Sequence, residues 1–343
     1  QLVYHNDMSF WDTLQKPIFA LAPLADVTDA AFRRLIAKYS KLSEIGSHSV
    51  PYITWTEFVS ADGLALAPEE GRKKLLADLI YTEAERPIIA QFFSASPKNM
   101  EHAAALAREL GFDGVDINMG CQDKSIEKQG AGAAHIKNPG LAQEVIAAAK
   151  QGAGDLPVSV KTRLGYNKDE LDEWLPKLLA AKPAAVTIHA RTRKEMSLVP
   201  ARWERVARAV EIRNEQSSDA LILGNGDLKD VADATAKVAE SGADGAMLGR
   251  AIFGNPWLFS ERGPTSLRER LEVMVEHTKL YEELLMHPSS GLGAGKSFSI
   301  MKKHYKAYVS GFDGAAELRA ELMNAKDARE VEVVVEAYLT KSH

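Results

Sequence analysis

The order in which apolar runs and amphipathic stretches follow one another limits this chain more than any other feature. Short apolar runs fall at residues 18–23, 53–58, 87–93, 114–118, 157–162, 184–189, 220–224 and 243–249. Between them the apolar spacing takes a helical period, at 29–39, 98–110, 139–151, 169–181, 202–212 and 228–241. Eight strand-like runs, most followed by a helix, predict an α/β fold with parallel strands: a (β/α)8 TIM barrel of about 250 residues. A doubly wound open sheet is the rival. It would carry a glycine-rich fingerprint after its first strand, whereas here that strand runs out into Ala22-Pro23-Leu24-Ala25-Asp26.

Beyond Glu261 the pattern changes. Arg262-Gly263-Pro264-Thr265-Ser266 reads as a linker with a capping hydroxyl, because proline is excluded from helix interiors. Helical periodicity then runs through 267–285, 296–308, 315–324 and 328–339, broken at Pro288-Ser289-Ser290-Gly291 and Gly311-Phe312-Asp313-Gly314. Four short helices predict a small bundle, which divides the chain into a barrel domain at 1–262 and a helical domain at 263–343.

Composition narrows the class. With 45% hydrophobic and 26% charged residues and a net charge of -5, the chain reads as soluble and globular rather than fibrous or disordered. No apolar run approaches the ~18 residues needed to span a bilayer, and residues 1–11 lack a basic-then-apolar signal layout. The single cysteine, Cys121, cannot form an internal disulfide, which fits a reducing, cytoplasmic setting. No metal centre is expected, and the chain is expected to be monomeric. Slight overall acidity means that any nucleic-acid partner has to be met by a local basic patch.

Residues able to do chemistry gather at the C-terminal ends of the predicted strands, where barrel enzymes build their active sites. They are Gln91, Asn118, Lys161-Thr162-Arg163, His189-Ala190-Arg191, Asn225-Gly226-Asp227 and Gly249-Arg250. Each alone is an ordinary strand end or turn. Together they point polar groups into one mouth. Cys121 follows Gly120 and precedes Gln122-Asp123-Lys124-Ser125, a polar loop that suits a thiol used for chemistry better than one used as core filler. The segments 225–227 and 249–250 let backbone N–H groups approach an anion. Gln91, Lys161 and His189 offer hydrogen bonds and positive charge to a flat electron acceptor above an apolar floor of Pro23 and Leu24. A flavin fits that description, and a sugar phosphate is the other candidate occupant.

The motifs Ala22-Pro23-Leu24-Ala25-Asp26-Val27-Thr28-Asp29, Thr56-Glu57-Phe58-Val59-Ser60-Ala61, Asn118-Met119-Gly120-Cys121, Lys161-Thr162-Arg163, His189-Ala190-Arg191-Thr192 and Asn225-Gly226-Asp227 occur in the order seen in the tRNA-dihydrouridine synthases. The chain resembles that family from about residue 17 onward. The resemblance implies an FMN-dependent barrel, followed by a small helical domain, that uses NADPH to reduce uridines in tRNA to 5,6-dihydrouridine. It implies that Gln91, Lys161 and His189 contact the flavin ring, with Pro23 and Leu24 beneath it. Asn225, Gly226, Asp227, Gly249 and Arg250 would hold its phosphate. Hydride would pass from N5 of the flavin to C6 of the uracil and a proton from Cys121 to C5. Asn118 would meet the uracil edge, and Arg163 and Arg191 the flanking phosphates or ring carbonyls.

Several positions depart from the family pattern. Leu24 and Phe58 stand where methionine is usual, Gln122 replaces a proline after the cysteine, and 196–203 lacks a tyrosine and a glycine. In the C-terminal region Lys302-Lys303-His304-Tyr305-Lys306 clusters charge on one helix, either as a solvated face or as a strip for tRNA phosphates through Lys302, Lys303 and Lys306. An FMN-dependent oxidoreductase acting on a small cyclic alkene, such as a free pyrimidine, is the alternative function. A non-catalytic RNA-binding flavin barrel is a third.

Overall fold

The structure is a computed structural model that describes residues 9–41, 50–260, 262–286 and 295–341. The expected break at Pro288-Ser289-Ser290-Gly291 lies outside them, as do residues 1–8. Eight parallel strands close into a barrel in sequence order: β1 (Ile18–Leu21), β2 (Tyr52–Ser60), β3 (Ile88–Phe93), β4 (Gly114–Met119), β5 (Val158–Arg163), β6 (Ala185–His189), β7 (Leu221–Asn225) and β8 (Gly245–Leu248). The open-sheet rival is thereby excluded, because β1 pairs with β8 from Ile18↔Gly245 to Leu21↔Leu248.

The strands read as apolar runs because most of their side chains are buried, whichever way they face. Several helices begin where the sequence supplies a cap. Asp29 accepts from Phe32 N–H ahead of the helix Ala30–Ser40, and Ser96 precedes Pro97–Glu109 with proline in the first turn. Asp230 opens Val231–Ser241, and Gly242 closes it at φ 68° in the left-handed region that favours glycine. Short helices at Ala61–Leu66, Glu69–Ala77 and Lys124–Lys128 add to the six expected between strands. They span at most nine residues, too few for a clear 3.6-residue period.

By internal contacts the chain forms two units. The first contains all eight strands, through Arg250. The second gathers the helices Ala30–Ser40 and Glu69–Ala77 with those that follow residue 251: Leu267–Tyr281, Met301–Tyr308, Ala315–Leu322 and Ala328–Lys341. Helix Ala30–Ser40 is held there by a fully buried pair, Arg33 Nε to Glu85 at 2.8 Å, and by Phe32 stacked on His277 at 4.5 Å. Among the described residues no helix is long and apolar enough to cross a membrane.

Candidate active site

Register decides which side chains share the barrel interior. Partners on neighbouring parallel strands face the same way, and side chains alternate along each strand. Gln91 pairs with Asp116 and Asp116 with Ser159, and one layer higher Asn118 pairs with Lys161. Arg163 pairs with His189 and His189 with Asn225. These residues line one face of β3 to β7, while Val115, Ile117, Val160 and Thr162 take the other. The C-terminal half of the barrel is therefore polar inside.

Cys121 emerges just beyond β4, half-buried against the apolar cluster of Phe58, Phe93, Ile126 and Ala131. Its position is held from both sides of the chain. Asn118 Oδ1 accepts from the N–H of Gly120 at 3.1 Å and of Cys121 at 2.9 Å, and the Cys121 carbonyl accepts from Ala133 N–H at 2.9 Å. Gly132 makes the last contact possible, because at φ 61° a Cβ there would lie 2.8 Å from the Cys121 carbonyl oxygen. Burial pushes the thiol pKa up, and the backbone N–H of Asp123, then Arg163 and Lys161, pull it partly back. The group is a protonated thiol at neutral pH.

Lys161 carries the positive charge of the interior. Its ammonium donates to Asn225 Oδ1 at 3.3 Å, and burial brings its pKa down to about 8. Below it Asp116 is fully buried, its carboxyl pushed up to about 6 by desolvation despite hydrogen bonds from Ser159 and Gln91. His189 corrects an expectation. Burial, reinforced by Arg163, Lys161, Arg191 and Arg250, depresses its pKa well below the usual histidine range, so it supplies a neutral imidazole and not a second cation.

The two arginines expected at substrate phosphates or carbonyls are occupied inside the protein. Arg163 donates to the carbonyls of Gly120 at 2.7 Å, Thr192 at 3.2 Å and Met196 at 3.0 Å, and to Gln122 Oε1 at 2.5 Å. Gln122, in place of a proline, thus ties the cysteine loop to β5. Arg191 donates to the Val199 carbonyl at 2.5 Å, to His189 and to Asp227. Both arginines hold loops in place.

At the anion end, Asn225 Nδ2 donates to the Met247 carbonyl at 2.7 Å and locks β7 to β8. Gly226 adopts φ 126°, and a Cβ there would lie 2.8 Å from Ala201 Cβ, so only glycine fits. The Asp227 carboxylate accepts from Arg191, from the largely exposed Arg250 and from Ala201 N–H, and Arg191 draws its pKa down. The carboxylate only accepts, so it orients two guanidinium groups beside the turn, and the part of Asp227 able to meet an anion is its backbone N–H. Gly249 is open, its nearest neighbour to a Cβ being Ala22 at 3.7 Å, and Pro23 is buried after β1.

The remaining expected residues belong to the second unit. Leu24 is half-buried and its N–H donates to Thr28 at 2.8 Å. Lys302 donates to the Met323 carbonyl at 2.7 Å, and Lys303 pairs with Asp26 at 3.0 Å. Lys306 is exposed. Two cavities of about 740 and 780 Å³ lie away from the barrel mouth, one between Leu267–Tyr281 and Ala328–Lys341 and one at the N-terminal end of the barrel. Among the described residues no cluster of three His, Cys, Asp or Glu side chains is placed to hold a metal ion.

Residues 20–342 match the family described as Dihydrouridine synthase (Dus). The chain belongs to the dihydrouridine synthase family. It is 38% identical over 336 residues, 97% of either chain, to the probable tRNA-dihydrouridine synthase 2 of Bacillus subtilis strain 168. It is 34% identical over 333 residues to the probable tRNA-dihydrouridine synthase of Staphylococcus aureus strain COL, covering 96% of this chain and 95% of that one. In this dihydrouridine synthase the donor set fits FMN. The interior ammonium of Lys161 on β5, the glycine-only turn at Gly226 after β7 and the exposed guanidinium of Arg250 after β8 all lie toward the C-terminal ends of their strands. Sequence reasoning missed Asp116, Ser159 and the Gln122–Arg163 link. The one available signal was an acid amid apolar residues in Gly114-Val115-Asp116-Ile117.

Proposed function

We propose that this chain is a cytoplasmic, FMN-dependent enzyme that reduces uridines in tRNA to 5,6-dihydrouridine with NADPH as electron donor, and that Cys121 is its general acid. Family membership supports the reaction class, and one observation carries the assignment of the acid: a half-buried thiol, kept protonated by its surroundings, at the rim of a polar barrel interior that also holds Lys161 and His189. FMN, when bound, would supply the hydride that C6 of the uracil accepts.

The chain's own residues supply the rest. Cys121 Sγ releases its proton to C5, and the resulting thiolate is favoured by the charges of Arg163 and Lys161. Gln91, Lys161 and His189 would hold the flavin ring, with Pro23 and Leu24 as the apolar floor and Lys161 as the cation of the set. Asn225, Gly226, Asp227, Gly249 and Arg250 would hold its phosphate, the Asp227 carboxylate acting through Arg250 and Arg191. The free Nδ2 hydrogen of Asn118 is available to the uracil edge. Uridines have to leave the tRNA stack to reach a recessed site. The barrel at 1–262 performs the chemistry, and the helical region at 263–343 binds tRNA through a surface that includes Lys302, Lys303 and Lys306. The protein works as a monomer.

Two measurements test this reading. The purified protein should release FMN on denaturation, and Lys161→Met should lower the flavin retained. Mass analysis of tRNA from cells lacking the protein should show particular nucleotides lighter by two hydrogens. A colourless protein that FMN does not reconstitute, or unchanged tRNA, would refute it.

A further inference from the structure

The inner faces of β3, β4 and β5 carry a chain of hydrogen bonds that runs in only one direction. Asp116 accepts from Ser159 Oγ at 2.5 Å and from Gln91 Nε2 at 2.6 Å. Gln91 then presents its Oε1 to Asn118 Nδ2 at 3.1 Å. Asn118 in turn presents its Oδ1 to the backbone N–H of Gly120 and of Cys121. A side-chain amide has a donor at one end and an acceptor at the other, whereas a carboxylate only accepts. Placing the acceptor at one end therefore orients both amides. Flipping either would set N–H against N–H or oxygen against oxygen where no solvent compensates, since Asp116 and Gln91 are 0% and Asn118 6% exposed.

We propose that Asp116 is a positioning residue for Cys121, acting through Gln91 and Asn118 to fix the peptide that carries the thiol. The Cys121 carbonyl is already held by Ala133, so this relay supplies the other half of the clamp. Burying a carboxylate in a barrel interior is costly, and packing alone would favour an apolar residue on β4. What the ionised carboxylate adds at neutral pH is a group whose two oxygens both accept. The inference rests on the reading of Cys121 as general acid, and it assigns Asp116 no contact with substrate or flavin.

The test separates acceptor geometry from charge. Asp116→Leu removes the acceptor. Asp116→Asn keeps it, because its carbonyl can face Gln91 while its N–H2 faces Ser159 Oγ, which also accepts. Hydrogen–deuterium exchange should accelerate at Gly120 and Cys121 in Asp116→Leu, with peptides from β6 to β8 unchanged, and remain slow in Asp116→Asn. For tRNA reduction, kcat should fall in Asp116→Leu on the order of 10²-fold, the cost of a misplaced reacting group, with KM for tRNA unchanged and with rescue by Asp116→Asn. Should Asp116→Leu fail to fold, Gln91→Met breaks the second link and should give the same local exchange. Wild-type exchange at 120–121 in the folded Leu or Met variants would overturn the proposal. So would equal loss in Asp116→Asn, which would assign the role to charge. Near-normal tRNA reduction by Cys121→Ala would instead overturn the general-acid reading, and it leaves the exchange result standing.

Discussion

Arg191 Nη1 lies 3.1 Å from His189 Nε2, and because a guanidinium only donates, the imidazole accepts there and carries its proton on Nδ1. Burial and four surrounding cations keep the second proton off. The ring that the sequence offered as a cation is a neutral donor.

His189 should therefore show no titration between pH 6 and 8. Its folded pKa is depressed, so the neutral form persists as pH falls through the usual histidine range and charging begins only below it. Ring nitrogen shifts measured by NMR should stay constant across that window. Arg191→Met, which removes one cation and the donor to Nε2, should move the pKa upward. An inflection near pH 6.5 in the wild type would contradict the depressed pKa.

Replacing Cys121 with alanine should separate two half-reactions. Reduction of the bound flavin by NADPH, followed by its bleaching, should persist, because Cys121 serves only the uracil. Dihydrouridine formation should fall by ~10² to 10⁴, the usual cost of losing a general acid. Single-turnover assays with tRNA measure the second quantity directly.

In the C-terminal strip the ammonium groups of Lys302 and Lys303 already meet the Met323 carbonyl and Asp26, whereas Lys306 is exposed. Lys306→Ala should lower the slope of log affinity for tRNA against log salt by up to ~0.9, the value of one phosphate contact. Lys302→Ala should change the slope less. Binding titrations at several salt concentrations compare them, and flavin content should be equal in all.

The second unit contains a pH-dependent weakness. His304 is buried between His277 and Phe32, and desolvation brings its pKa down to about 3. Its folded pKa lies below the unfolded value of about 6.5, so the unfolded chain binds the proton first as pH falls. The contribution of His304 to stability is full above about 6.5 and is lost progressively toward 3. His304→Phe should flatten this acid limb, measurable as a smaller difference between urea midpoints at pH 7 and pH 5. An equal difference in both proteins would place the acid sensitivity elsewhere.

The sequence by itself determined the eight strands, their parallel order and the residues at their C-terminal ends, because period-2 and period-3.6 burial is written locally and the barrel mouth follows from strand direction. Gln91, Asn118, Lys161, His189 and Asn225 were legible on those grounds, and the motif order was enough to indicate the family. What the side chains do there was decided only by the tertiary structure. Whether His189 is charged depends on cations brought from β5, β6 and β8, and whether Arg163 faces substrate or Gln122 depends on a loop meeting 41 residues away in sequence. The place of Asp116 beside Gln91 and Ser159 is set by strand register, which local sequence does not state. The helix Ala30–Ser40 carries a barrel helix's sequence pattern, yet its contacts group it with the C-terminal helices through Phe32 and His277. Desolvation, hydrogen-bond direction and grouping all depend on atoms distant along the chain, and local periodicity contains no record of them.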